Sequence, residues 1–321
     1  TAAFAPTPPP ILLVSWKSLS IQPKEHRHNP SRYVRNTKVN KRRVFASAKM
    51  SVCILVAKKM KNTRKTEFGL RMNNTPSVDV GAPPTRISLG DLEQFDPNGL
   101  SIPLVTEKDI QMLRTIYAAC RRLGEVGTCY TGEVDLSLDR EFIKEQGKYA
   151  TLLKGAIIGR YEMRASMSQG QIEFLDSKAF LARKGQRRNA KAWHHQSERI
   201  VLQGITGINE TVRLKMAIAP KGAFCANSAN YILLKSEDSV FARFVLGVLN
   251  SAPVNHVFKC FSTNSNVNGY EVDNLPIPKA NPSEQGTIAA LVDRCLAKSG
   301  RECGEQLREI DERVKAMFGI A

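Results

Sequence analysis

Cysteine, histidine, aromatic residues and long apolar runs are all scarce in this chain. Its seven cysteines are an odd number with no C-x-x-C pair. That argues against a disulfide framework and for reduced thiols in a cytoplasmic protein. Of five histidines only His194 and His195 are adjacent. Neighbouring side chains on a strand point to opposite faces, so the pair reads as exposed polar residues rather than a metal site. Aromatic residues make up 7% of the chain, with no aromatic-rich sheet motif of the RNA-binding kind. No apolar run reaches the roughly 18 residues a membrane span needs, which argues against a membrane partner. Residues 5–14 (APTPPPILLV) are too short and too rich in proline for a signal-peptide core. The first residue is Thr, not Met, so a truncated or processed start is expected.

Acidic residues are also in short supply. Thirty Asp and Glu face 47 Lys and Arg, a net charge of +17. Residues 1–70 hold 15 cations against 2 acids, and residues 151–200 hold 10 against 4. A polyanion partner follows, and duplex nucleic acid is the commonest one. Residues 1–43, with Pro8-Pro9-Pro10 and little periodicity, read as a solvated, disordered basic tail. For residues 151–200 nucleic-acid binding is the stronger reading. At 321 residues and 42% hydrophobic content, the chain can fold as one large or two modest domains.

Periodicity gives the elements. Residues 52–57 (VCILVA) read as a buried strand with a basic exit, and 73–84 as a linker. Thr106 is a helix N-cap with Asp109 in the first turn, apolar residues at 110, 113, 116, 117 and 120, and Gly124 as the stop. Residues 131–138 (TGEVDLSL) alternate like a strand. Residues 149–163 read as a strand, a Gly-centred turn and a second strand. Strands are expected at 199–203, 212–219 and 229–234, and a short apolar helix at 241–249 ending on Asn250-Ser251. A polar loop, 262–268, leads to the stiff segment Leu275-Pro276-Ile277-Pro278. Two amphipathic helices end the chain, with stripes Ile288, Leu291, Val292, Cys295, Leu296 and Leu307, Ile310, Val314, Met317, Phe318.

The order of these segments resembles a family. LLKGAIIGRY (152–161), ERIVLQGITG (198–207), NSANYILLK (227–235), VLGVLNS (245–251), LPIP (275–278) and IDERVKAMFGI (310–320) together look like the back half of an adenine-specific (N6) DNA methyltransferase. The branch is that of type II restriction–modification systems with a Taq-like specificity domain. The resemblance implies an α+β fold: a mixed β-sheet target-recognition domain with flanking helices and a helical C-terminal tail. It divides the chain into a basic tail (1–43), the last catalytic-domain strands plus a linker (44–105), a recognition domain (106–280) and C-terminal helices (281–321). The family's Gly-rich cofactor loop and Asn/Asp-Pro-Pro-aromatic loop are not in this sequence. Asn29-Pro30-Ser31-Arg32 is an incidental turn. The chain is therefore expected to bind double-stranded DNA without methylating it. S-adenosylmethionine and methyl transfer are expected to belong to a missing N-terminal half of the complete enzyme. Phe45 stands where the family stacks an aromatic on the extruded base, although core packing is its first reading.

Candidate DNA contacts are Lys154, Arg160 and Arg164 around the Gly155/Gly159 hairpin, and the denser cluster Arg183, Lys184, Arg187, Arg188, Lys191. Arg can bond guanine O6 and N7 together, and Gly lets backbone approach a strand closely. A solvated basic loop is the plainer alternative. Gln203, Thr206, Asn209 and Arg213, around a Gly-containing turn, are candidate base-edge readers. Asn264 and Asn266 are further candidates in a loop that could equally be uninvolved. Two other readings stay open. One is a stand-alone specificity subunit recruiting a separate methylase or restriction subunit through the C-terminal helices. The other is a basic RNA-binding protein. A nuclease is not supported, since Asp135, Asp139 and Glu141 lack a paired Lys at the required spacing.

Overall fold

The computed structural model describes residues 11–12, 55–56, 63–71, 83–166, 171–187, 190–262 and 264–320. Phe45, Arg188, all of the basic tail but Ile11–Leu12, and most of the 52–57 and 73–84 segments lie outside the described residues. The chain divides into two compact units. The first ends at Arg114 and includes Cys260–Asn264; the second is Thr115–Lys259 with Ser265–Ala321. The break falls near 114 rather than at the expected 105, and the C-terminal helices belong to the second unit instead of standing apart.

In the first unit, β1 (Glu67–Leu70) pairs antiparallel with β2 (Thr85–Ser88). Helix α1 (Leu89–Phe95) follows at once because Ser88 and Asp91 form a reciprocal capping box. The Asp91 amide donates to Ser88 Oγ at 3.0 Å, and the Ser88 amide donates to Asp91 Oδ2 at 2.8 Å. Arg114 adds a two-pronged bond to the same carboxylate, 2.8 Å on each side. Burial opposes ionisation of Asp91, but the bonds from Arg114 and Ser88 outweigh it and hold the carboxyl below its usual range. Ile87, Leu92 and Phe95 form the buried face.

Helix α2 (Glu107–Ala119) carries the chain into the second unit. Its start is as the sequence predicts: the Thr106 amide and hydroxyl donate to Asp109 Oδ2 at 2.9 and 2.7 Å. Its end is not. The helix stops at Ala119, and the next residues form strand β3 (Cys120–Arg122), followed by one turn of helix, α3 (Leu123–Val126). The cause is distant in sequence. The extended Leu-Pro-Ile-Pro segment becomes the strand Pro276–Pro278, which needs a partner and pairs antiparallel with β3.

The second unit is built on two four-stranded sheets. In the first, β4 (Gly127–Thr131), β10 (Arg199–Gln203), β11 (Met216–Ala219) and β13 (Ala229–Leu234) are antiparallel in the order β11-β10-β13-β4. The second is mixed. Here β6 (Ala150–Leu153) lies between β9 (Phe174–Leu175), antiparallel to it, and β12 (Phe224–Cys225), parallel to it; β5 (Ile143–Lys144) forms the far edge. The fold is α+β. Segments 199–203 and 229–234 match expectation residue for residue. The expected strand at 131–138 does not form, because Asp135 Oδ1 accepts the Ser137 and Leu138 amides at 2.8 and 2.9 Å and curls the chain into a turn. The second strand expected before Met163 is a small hairpin, β7 (Ile158–Gly159) with β8 (Glu162–Met163).

Helix α5 (Ser239–Leu249) is capped by Asp238, whose Oδ1 accepts the Val240 amide at 2.9 Å. It is followed by a helix the sequence reading missed, α6 (Ala252–Phe261), and by α7 (Gly269–Asp273). The last two helices, α8 (Pro282–Ala297) and α9 (Gly304–Phe318), form where predicted. Gly247 of α5 sits against α8 so closely that a Cβ there would lie 2.6 Å from Ile288 Cγ2. Ile288, Leu291, Val292, Cys295, Ile310, Val314 and Phe318 are buried in this unit. Most of the apolar stripes offered as a docking surface are thus occupied by the protein's own core, with Leu296, Leu307 and Met317 half-buried. Among the described residues no helix is long and apolar enough to cross a membrane.

Candidate nucleic-acid interface

The Asn250-Ser251 pair that ends helix α5 works on the sheet. Asn250 Oδ1 accepts the Met216 amide and Asn250 Nδ2 donates to the Met216 carbonyl, both at 3.0 Å. One turn into α6, Asn255 Oδ1 accepts the Arg213 and Leu214 amides at 2.8 and 3.2 Å, and its Nδ2 donates to the Thr211 carbonyl at 2.9 Å. Two carboxamides therefore replace strand pairing along residues 211–216. That is why β11 begins at Met216 and not at the predicted 212.

This clasp fixes the turn at the end of β10, where several loops meet. Asn227 donates its amide to the Val134 carbonyl at 2.8 Å and its Nδ2 to Asp135 Oδ2 at 3.1 Å. The Gly155 amide donates to Ser228 Oγ at 3.2 Å, and the Gly204 amide to the Ser228 carbonyl at 3.0 Å. The Val267 amide then reaches the Gly204 carbonyl at 2.9 Å, and the Thr206 amide reaches the Ser265 carbonyl at 2.8 Å. The result is one continuous rim of backbone. Three glycines make it feasible: a Cβ would lie 2.0 Å from the Ala226 carbonyl oxygen at position 132, and 2.3 Å and 2.9 Å from the Ser228 carbonyl oxygen at 155 and 204. Backbone cannot step aside as a flexible side chain can. We predict that Gly155→Ala forces the loops apart at a cost of about 1–3 kcal/mol. A denaturant midpoint equal to wild type would show that the junction is looser than its geometry.

Arg213 and Thr206 sit beneath this rim. Arg213 is 1% exposed and Thr206 is 3% exposed. Arg213 Nε donates to Thr206 Oγ1 at 3.2 Å, and the guanidinium lies 4.9 Å from the Phe258 ring centroid. Burial lowers the Arg213 pKa. Neither residue presents an edge to a base, so both candidates are corrected to supports of the turn. Gln203 is likewise committed inward, donating Nε2 to the Ile158 carbonyl at 2.7 Å. Asn209 is half-buried in the same turn. On the rim itself, Ile205 is 62% exposed and forms an isolated antiparallel bridge with exposed Asn266. Asn264 is half-buried and belongs to the first unit.

The described candidate cations do not gather at one place. Lys154 pairs with Glu173 at 2.6 Å, and Arg140 takes the other oxygen of that carboxylate, also at 2.6 Å. Burial opposes the charge on Glu173, but bonds from Arg140 and Lys154 prevail and lower its pKa. Arg160 donates Nη2 to the Asn250 carbonyl at 2.6 Å and lies 4.0 Å from Asp311, which places it among the helices. Arg164 is exposed, 3.4 Å from Glu162. Helix α4 (Ser177–Lys184), capped by Asp176, carries Arg183 and Lys184 on its last turn, where the helix dipole favours them. They pair with Glu141 and Asp139, the acids that lacked a lysine by sequence spacing. Arg187 is exposed just beyond. Lys191 turns inward, its Nζ donating to the Gly132 carbonyl at 3.0 Å, and burial lowers its pKa. Among the described residues the exposed members of the cluster are Arg183, Lys184 and Arg187. The Arg183–Glu141 pair lies at the surface, where such pairs are weak and exchangeable, whereas Lys184 reaches a buried carboxylate, Asp139.

The histidine pair departs from expectation. His194 and His195 lie on a 3₁₀ turn, Lys191–Gln196, and both are half-buried. His194 Nδ1 is 2.8 Å from Tyr231 Oη, and its ring meets Tyr130 edge-on at 4.8 Å. Burial, aided by Arg199 and Lys191, lowers its pKa. His195 stacks on Phe224 at 4.3 Å. Both rings pack the turn against the two sheets. Nearby, Glu133 and Arg199 form an ion pair whose side chains are 0% exposed, a feature that spacing did not reveal. Among the described residues no group of three or more His, Cys, Asp or Glu could hold a metal ion.

No curated protein sequence matches the chain. Among solved structures, the chain is similar to the type IIL restriction–modification enzyme MmeI in complex with DNA. The match has 11% identity and a TM-score of 0.44, and it covers 63% of this chain and 34% of that one. A type I restriction–modification assembly matches at 14% identity and a TM-score of 0.34, over 62% of this chain and 44% of that one. The HsdS subunit from Thermoanaerobacter tengcongensis matches at 12% identity and a TM-score of 0.33, over 66% and 51%. The chain therefore spans between about a third and a half of the length of these proteins. Residues 150–277, which include three strands of each four-stranded sheet, the turn after β10 and the Asn clasp, match the TaqI-like C-terminal specificity domain.

Proposed function

We propose that this chain recognises a DNA target sequence for a restriction–modification system. The observation that carries the reading is the specificity-domain match over residues 150–277. The geometry agrees with it: a backbone rim is held rigid from beneath by Asn250, Asn255 and Arg213, with exposed cations at the end of α4. Rigid loops on a packed scaffold suit base readout, and the cations suit phosphates. The finer reading is service to an adenine-N6 methyltransferase acting in the cytoplasm. In that reading, residues outside this sequence bind S-adenosylmethionine and carry the methyl transfer, since no Gly-rich cofactor loop occurs here. A partner subunit would meet mainly the polar outer faces of α8 and α9, because most of their apolar stripe residues are buried.

Duplex binding as a function of salt tests the reading. Replacing Arg183 and Arg187 together by Ala should lower the slope of log K against log salt by roughly 2, about 0.9 for each phosphate no longer neutralised. Affinity should fall alike for all sequences. A double variant with the wild-type slope would remove the end of α4 from the interface, and a wild-type chain without affinity for any duplex would overturn the function.

A further inference from the structure

We propose that Cys295 and Cys303 form a redox pair: hydrogen peroxide joins them into a disulfide that ties helix α8 to helix α9, and a dithiol releases them. The pair is independent of the DNA-recognition reading above and gives the helical corner of the second unit two chemical states.

Both sulfurs sit at one corner. Cys295 lies in the last turn of α8, and Cys303 is the N-cap of α9. Cys295 is 0% exposed and Cys303 is 2% exposed. The Cys295 thiol is hydrogen-bonded to the Cys303 thiol. Cys303 Sγ in turn donates to the Arg301 carbonyl at 3.0 Å, which leaves its sulfur to accept from Cys295. The corner that brings them together is strained. Ser299 and Glu302 hold φ at 48° and 51°, a left-handed region that residues with a β-carbon disfavour, and Gly300 between them holds 68°. Three backbone bonds close the corner: Gly300 amide to Cys295 carbonyl at 2.8 Å, Ser299 amide to Leu296 carbonyl at 3.0 Å, and Arg301 amide to Lys298 carbonyl at 3.0 Å. It also leans on the β7–β8 hairpin, where a Cβ at Gly300 would lie 2.3 Å from the Arg160 carbonyl oxygen. Strain held in place by surrounding structure is a feature of switch segments.

Chemistry then fixes the order of events. Burial, and next the Cys303 thiol, push the Cys295 pKa up to about 12, so Cys295 is a poor first nucleophile. Cys303 is flanked by exposed Arg301, Glu302 and Gly304, so opening of the corner brings it to solvent first. Its thiolate attacks one oxygen of the peroxide. The O–O bond breaks, the thiol proton leaves with the departing hydroxide as water, and Cys303 becomes a sulfenic acid. The Cys295 sulfur, already in contact, attacks the Cys303 sulfur. The S–O bond breaks, the Cys295 proton leaves with the hydroxyl as a second water, and the S–S bond forms. Two thiols lose two electrons and one peroxide gains them. In a reducing compartment the pair rests as thiols, and a dithiol restores it by exchange.

The test treats the native full chain with hydrogen peroxide, blocks the remaining thiols by alkylation, and maps tryptic peptides by mass spectrometry. Residues 295–298 should appear joined to residues 302–308, lighter by two hydrogens than the two peptides apart, and dithiothreitol should separate them. The melting temperature of the oxidised chain should rise by roughly 5 °C and return with dithiothreitol, because the closed loop restricts the unfolded chain. Cys303→Ala should yield neither the joined peptide nor the reversible rise. Should that variant fail to fold, the joined peptide and its reversal in wild type still decide. Over-oxidation of either cysteine without a joined peptide would overturn the pair, as would a joined peptide that forms only in denaturant. A joined peptide with no rise in melting temperature would overturn the tie between the helices.

Discussion

Glu133→Ala is expected to be the most damaging single substitution in the second unit, costing about 3–5 kcal/mol. Glu133 is fully enclosed with Arg199, and its second oxygen accepts the Cys225 amide at 2.8 Å. Arg199 also donates to the Ala223 carbonyl, and its guanidinium lies 4.4 Å from the Tyr231 ring centroid. Removing the carboxylate leaves a guanidinium buried without its counter-charge, and also orphans an amide of β12. Stability for a domain is commonly only about 5–15 kcal/mol, so the variant should sit near its unfolding threshold. Denaturant titration of the single variant and of Glu133→Leu with Arg199→Met separates two causes. The double variant removes both charges and should recover much of the loss. A single variant within about 1 kcal/mol of wild type would show that water reaches the pair.

Leu246→Ala is expected to cost about 2–5 kcal/mol. Leu246 is 0% exposed and belongs to a run, Phe244 to Leu249, in which every residue is buried. Helix α5 is therefore enclosed along its whole last turn, not along one stripe. Its displacement would matter beyond packing, because the same helix ends on Asn250, which holds Met216 by both backbone groups. Under the proposed function, weaker duplex binding should accompany the reduced stability, and thermal melting together with duplex binding checks both. An unchanged melting temperature would show that the helix is peripheral to the unit.

Local chemistry was readable at most places where it decided the outcome by itself. The Thr106–Asp109 cap, the two fully matched strands, the apolar helix at 239–249 and the terminal helices all follow from side chains within one turn or one strand of each other. The turn at Asp135, which replaced the strand expected at 131–138, was a local exception, and the other main failures come from partners far along the chain. Cys120–Arg122 left the helical pattern because Pro276–Pro278, far along the chain, supplied a strand. Arg213 carried the signature of an exposed reader, yet Asn255 and Thr206 drew it under the turn. The basic cluster looked uniform as a string, but Glu141 and Asp139 meet Arg183 and Lys184 while Lys191 turns to the Gly132 carbonyl.

The sequence by itself determined the charge balance and most of the order of the elements. A net charge of +17, the alternation of short strands and the LNS and LPIP segments are all written in the order of residues. Only the tertiary structure decided which polar groups face a ligand and which face the core. Burial and pairing depend on what the fold brings within hydrogen-bond distance, about 3 Å, and no spacing rule encodes that. The consequence is plainest at the rim. Thr206 and Ile205 are neighbours in sequence, yet the hydroxyl faces inward on Arg213 and the aliphatic side chain stands in solvent beside Asn266.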